Sequence, residues 1–236
     1  MGYQQRNAQP ESFWRSPCGA STIGPLAETP DWGKLHNLLS EISMRAEMTS
    51  REAEQKKKQF LEGTYNDSLY EDIYRSTRHN WLPRPPRESE YEDDFNNTNI
   101  ETAFRRVYGY LQHYAVGLEQ ATLDQVFAHE GKFANLFREI QYSLRLFLCD
   151  FDMSISLLRI KKDPDVLRDV MSVEQRKPIG EHKITLRDYM ILRDYIDMVS
   201  YVSKLFAFLA KHPEKSPALV LRETPVDEGS AFSSLL

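Results

Sequence analysis

Apolar residues recur at alternating steps of three and four along most of this chain, marking four long amphipathic helices near 30–62, 98–129, 132–160 and 185–212. The second stripe runs through Ile100, Phe104, Val107, Leu111, Tyr114, Leu118 and Ala121, and the third through Phe133, Phe137, Ile140, Leu144, Phe147, Phe151 and Leu158. The fourth runs through Leu192, Tyr195, Val199, Val202, Phe206 and Leu209, while the first, from Leu35 to Phe60, thins toward a charged C-terminal half. Such stripes are seams between packed helices, so Phe137, Leu144, Phe147, Leu192, Val199 and Phe206 are the expected core. The last helix carries a second stripe, Ile191, Met198, Tyr201, Leu205 and Phe208. Either a neighbouring segment covers that stripe, or part of it, Tyr201 and Phe208 above all, meets a partner.

The spacing between helices constrains topology. The gaps are about 35, 2–4 and 24 residues, against a usual ~2–8 between bundle helices. Running back along a ~45 Å helix takes at least ~13 extended residues. Both long gaps are therefore long enough to be crossovers, and the fold class expected is all-α, a long-chain four-helix bundle running up-up-down-down over residues 29–212, with tails at 1–28 and 213–236.

Local signals place the helix ends. Thr29 is the expected cap of the first helix, with Pro30 at its first position and Asp31 at the positive end of the dipole. Thr98 and Glu101 form a capping box for the second, and Thr185 and Asp188 have the same spacing at the fourth. Gly131 supplies the turn into the third helix, and Asp163-Pro164 closes it, with a short helix expected over 164–172. In the first crossover, 68–76 is a candidate short helix. Trp81-Leu82-Pro83-Arg84-Pro85-Pro86 reads as an extended strap anchored by Trp81, or as a proline-rich ligand for a small recognition domain.

With 236 residues, 41% hydrophobic and 28% charged, the chain can bury one core. The net charge of -5 argues against nucleic-acid binding, and charges interrupt every apolar run, which argues against membrane insertion. No Glu-x-x-His, His-Glu-x-x-His, Cys-x-x-Cys, Walker or Gly-x-Ser-x-Gly motif occurs, so neither an enzyme nor a metal or other cofactor is expected. The start, Met-Gly-Tyr-Gln-Gln-Arg, lacks the basic flank and apolar stretch of a secretory signal, which leaves a cytosolic protein, an unconventionally exported one, or a mature chain with an added Met. Sequons at Asn66 and Asn96 fall in the first crossover, as a secreted glycoprotein would tolerate. Cys18 and Cys149 allow one bridge, or two free thiols.

The helix order and lengths, the long aromatic and proline-bearing first crossover, and the Tyr- and Phe-rich last helix resemble the long-chain cytokines of the interleukin-6, leukaemia inhibitory factor and ciliary neurotrophic factor type, over about residues 29–212. An invertebrate member, such as an insect Unpaired-like ligand, fits the resemblance. What it implies is a secreted monomer that binds class I cytokine receptor ectodomains and assembles them for JAK/STAT signalling. The family is similar in using three surfaces: the last helix with the end of the first crossover, the first and third helices, and the start of the last helix. Several members carry Phe-x-x-Lys at the third surface, where this chain has Glu181-His182-Lys183-Ile184-Thr185-Leu186 without that motif. The implied receptor contacts are Arg138, Gln141 and Arg145 on the third helix and Arg187, Arg193, Tyr201, Lys204 and Phe208 on the last. The other reading is an intracellular helical adaptor that holds a partner through the last helix or the proline-rich strap.

Overall fold

The computed structural model describes residues 12–19, 31–64, 72–127, 131–177 and 179–216. Most of both expected tails, and the sequon residue Asn66, lie outside the described residues. The protein is all-helical, with α1 Trp32–Thr64, α2 Tyr91–Asn96, α3 Ile100–Phe127, α4 Ala134–Leu157, α5 Val173–Arg176 and α6 Glu181–Leu209, and no strand among the described residues.

Several helix ends differ from the sequence expectation. Asp31 accepts from the Lys34 N–H at 2.9 Å and caps α1, while Thr29 and Pro30 are outside the described residues. Asn99, not Thr98, caps α3 by accepting from the Thr102 N–H at 2.8 Å; the Thr98 hydroxyl turns back to donate to the Asp94 carbonyl. Helix α6 starts after Gly180, four residues before the expected cap, so Thr185 lies inside it and donates to the Glu181 carbonyl. Gly131 takes the expected left-handed conformation. Helix α4 ends before Asp163-Pro164, at a left-handed Arg159, where the N–H groups of Arg159 and Ile160 donate to the carbonyls of Ser156 and Ile155. The expected helix over 164–172 is replaced by a single tight turn at Arg168–Val170, followed by α5. Of 68–76, the described part is helical only at 72 and 73.

The six expected core residues, Phe137, Leu144, Phe147, Leu192, Val199 and Phe206, are all buried. Contacts between helices pair opposite ends. The start of α1 meets the end of α6, with His36 Nδ1 2.6 Å from the Ala210 carbonyl, and Ser43 donating to the Ser203 carbonyl. Arg45 of α1 pairs with Asp150 near the end of α4, while Phe60 packs edge-on against Phe137 near its start. Phe104, near the start of α3, packs edge-on against Phe151 of α4 and Phe206 of α6.

Two segments lie across this framework. In the first, Trp81 and Leu82 of the long connection before α3 are buried, and Gly117 of α3 makes room for the Trp81 ring. The Tyr114 hydroxyl donates to the Pro83 carbonyl, and Arg193 donates to the carbonyls of Tyr74 and Thr77, both at 2.7 Å. With α2, whose Phe95 faces Tyr201 and Phe208, this strap covers the second stripe of α6. The second is residues 12–19, expected within a tail but packed against the helices. Trp14 is fully buried, its Nε1 donates to the Val166 carbonyl, and Cys18 is disulfide-bonded to Cys149 across a Cα–Cα distance of 4.9 Å. Gln112 of α3 ties this segment to the connection after α4, donating to the Trp14 carbonyl and accepting from the Val166 N–H.

Candidate functional site

The residues expected to form receptor contacts do not form one surface. Arg187 and Arg193 are 3% and 8% exposed, and Tyr201 is buried, so these three are corrected from outward-facing to internal. Arg187 binds Asp188 and Asp124, and burial of its charge is outweighed by those carboxylates, which hold the guanidinium above its ordinary pKa. Arg193 binds Asp194 as well as the two strap carbonyls. Tyr201 donates to Asp94, which also receives both terminal nitrogens of Arg106. Phe208 is half-buried, stacked on His212 and close to Phe95. On α4, Arg138 is exposed beside Asn135, Gln141 is half-buried, and Arg145 is exposed but donates to the Pro17 carbonyl. Lys204 is exposed, paired with Glu88 and poised over the Tyr91 ring. Asn96 is exposed at the end of α2, whereas Thr98 of its sequon is buried and already hydrogen-bonded inside the fold.

Two outer concavities lie between these positions. The first is an apolar groove of about 430 Å³ between α1 and α4, lined by Leu38, Ile42, Met44, Met48, Met153 and Leu157, with the Arg45–Asp150 ion pair beside them. Met44 and Met48 are 57% and 63% exposed, and Tyr142 and Leu146 are further exposed large apolar side chains on α4. Methionines suit a surface that must adapt to a partner, because the thioether chain is flexible and polarizable. Sequence reasoning missed Met44 and Met48; the available signal was two methionines four residues apart, off the core stripe of their own helix.

The second is a polar recess of about 740 Å³ between the strap and α6, whose lining includes Arg78, Arg84, Arg87, Tyr91, Asp194 and Asp197. Burial raises the Asp194 carboxyl despite Arg193, and burial together with Asp194 raises Asp197. The Tyr91 phenol is raised by burial and then by Glu88 and Asp197. Arg78 bridges Asp194 and Asp197, whereas Arg84 and Arg87 make no ion pair among the described residues.

Among the described residues, no group of three or more His, Cys, Asp or Glu side chains is arranged to hold a metal ion, and no helix is long and apolar enough to cross a membrane. Of the two concavities, one offers apolar area and the other fixed charges of both signs. No protein-family model, curated protein or solved structure matches the chain.

Proposed function

We propose that the chain is a secreted helical cytokine, built as an up-up-down-down four-helix bundle, that binds class I cytokine receptor ectodomains and assembles them to activate JAK/STAT signalling. The observation that carries this reading is the pairing of helix ends. Contacts join the ends of α1 and α3 to the opposite ends of α4 and α6, which supports an arrangement with α1 and α3 in one direction, α4 and α6 in the other, and two crossing connections. The Cys18–Cys149 disulfide supports export, since such bonds persist in oxidising compartments. The groove between α1 and α4 lies on the pair of helices where the cytokine resemblance implies a second receptor surface, and its exposed apolar lining is the composition of an interface centre.

The test is binding of the purified chain to immobilised class I cytokine receptor ectodomains, with a STAT reporter in receptor-bearing cells. Met48→Glu is expected to weaken binding about tenfold or more, equivalent to ~1.4 kcal/mol, with the melting temperature nearly unchanged because Met48 is exposed. Absence of receptor binding at micromolar concentration, together with copurification of an intracellular partner and reduced Cys18 and Cys149, would replace this reading with the adaptor.

A further inference from the structure

The groove between α1 and α4 is lined by apolar side chains, but the charges that line it do not balance: two carboxylates, Glu41 and Asp150, face one guanidinium, Arg45. Arg45 is already held by Asp150, with its Nε 3.0 Å from Oδ2, and the Asp150 side chain stays 24% exposed. Glu41 lies one turn before Arg45 on α1, is exposed, and its carboxylate makes no ion pair or hydrogen bond among the described residues. The next acid along that helix, Glu47, is paired with Arg51. Burial raises the Asp150 carboxyl, Arg45 opposes the rise, and Glu41 adds to it, so the two acids act on each other at the groove. Met48 stands 63% exposed two turns along α1 from Glu41, a separation of about 10 Å.

These features discriminate between occupants. A wholly apolar segment would strip water from two carboxylates that share one cation, a cost its apolar contacts must offset. An acidic segment would add a third carboxylate to the two. A basic side chain gains from both parts of the groove. Its methylene stem lies on the thioether and leucine surface, while its head meets the acids through charge-assisted hydrogen bonds. We propose that the groove takes a protein segment that sets an arginine or lysine against Glu41 and Asp150 and an aliphatic or aromatic anchor against Met48, about 10 Å away. This rests on the receptor-binding reading above, in which a receptor ectodomain supplies the segment, and adds to it the charge of the side chain that enters. The guest competes with Arg45 for Asp150 and meets no competitor at Glu41.

The experiment pans phage-displayed random peptides on the immobilised full-length chain, with counter-selection on Met48→Glu, and titrates the recovered peptides against variants. The peptides are expected to carry arginine or lysine beside an apolar anchor. Glu41→Lys weakens them about tenfold or more, and raising salt from about 0.05 M to 0.5 M weakens them further. Arg45→Gln tightens them, because it removes the competing cation; a purely structural Arg45 would give the opposite change. The melting temperature of Glu41→Lys stays near that of the wild type, since the position is exposed. The proposal is overturned if no Met48-dependent peptide is recovered, if those recovered are acidic or uncharged, or if Glu41→Lys binds them as tightly as the wild type does. A class I receptor ectodomain that depends on Met48 but is indifferent to Glu41→Lys sinks this proposal and leaves the cytokine reading. Basic peptides that bind the groove while no class I receptor binds the chain sink the cytokine reading and leave the charge preference of the groove.

Discussion

Replacing Gly117 with alanine sets two effects of known size against each other. Glycine in the interior of a helix costs about 1 kcal/mol relative to alanine, so the substitution gains that much from backbone propensity. Opposing it, a Cβ at 117 would sit 2.9 Å from Trp81 Cη2 and 3.0 Å from Ile191 Cγ2, closer than carbon atoms pack. Trp81 is a rigid, buried ring that anchors the strap, and Ile191 is buried in α6, so neither can withdraw freely. Overpacking of this kind costs about 1–3 kcal/mol, which leaves Gly117→Ala less stable by up to about 2 kcal/mol after the propensity gain. Gly109 lies in the same helix with nothing within 4 Å of its would-be Cβ, so Gly109→Ala keeps the gain without the clash. The difference between the two variants isolates the clash at about 1–3 kcal/mol, or some 2–12 °C in melting temperature for a chain of this size. Urea unfolding followed by far-UV circular dichroism, with unchanged slopes, measures it. If Gly117→Ala is as stable as Gly109→Ala, Trp81 does not sit against α3 as described.

Three further outcomes follow. Cys18→Ser with Cys149→Ser should cost about 2–4 kcal/mol in chemical unfolding, given a loop of 131 residues; equal stability with and without reductant in the wild type would contradict the bridge. Arg193→Ala should cost about 3–5 kcal/mol, because Asp194 loses its closest cation inside the protein, while Arg138→Glu on the surface should stay within about 0.5 kcal/mol; similar losses for both would show that Arg193 is not internal. His79 is pushed down from 6.5 to about 4, first by burial and next by Arg187, so between those values the unfolded chain binds the extra proton. Its contribution to stability is complete above 6.5 and is lost as pH falls through about 4. The raised carboxyls of Asp188, Asp194 and Asp197 act in the opposite sense, so the quantity to read is the wild-type curve minus that of His79→Phe, which should fall with acidification; a flat difference would refute the burial of a neutral imidazole.

Features carried by local periodicity were legible in the residues; features set by what packs over a helix were not. The three-four stripes identify the buried face because every turn repeats the same information, and Phe137, Phe147 and Phe206 are buried accordingly. Caps rest on single hydrogen bonds, and where two acceptors adjoin, as at Thr98 and Asn99, the Thr98 hydroxyl is taken up by the Asp94 carbonyl and the Arg106 guanidinium, which leaves Asn99 to cap. Arg187 and Arg193 read as surface because charge is usually solvated, yet α6 is enclosed by α1, α3 and the strap. Their one sequence signal was the repeated Arg-Asp pair, Arg187-Asp188 and Arg193-Asp194, on a helix already apolar on two stripes. Trp14 gave no periodic signal at all, since a single side chain in a loop has no repeat; its segment is tied to α4 by the Cys18–Cys149 bond and by Arg145 donating to the Pro17 carbonyl. The six residues of α2 are likewise too few for a stripe to emerge.

The bond between Cys18 and Cys149 closes a covalent ring that encloses α1, the strap, α2, α3 and most of α4, and leaves α6 outside it. The most enclosed helix of the protein is therefore attached to the ring through one stretch of backbone, residues 150–180. A protease that cuts within 72–99 leaves a single covalent species until the disulfide is reduced. A cut within 159–177 instead yields two fragments whose association depends wholly on the packing and buried ion pairs of α6, so dilution or mild denaturant can separate them without touching the disulfide.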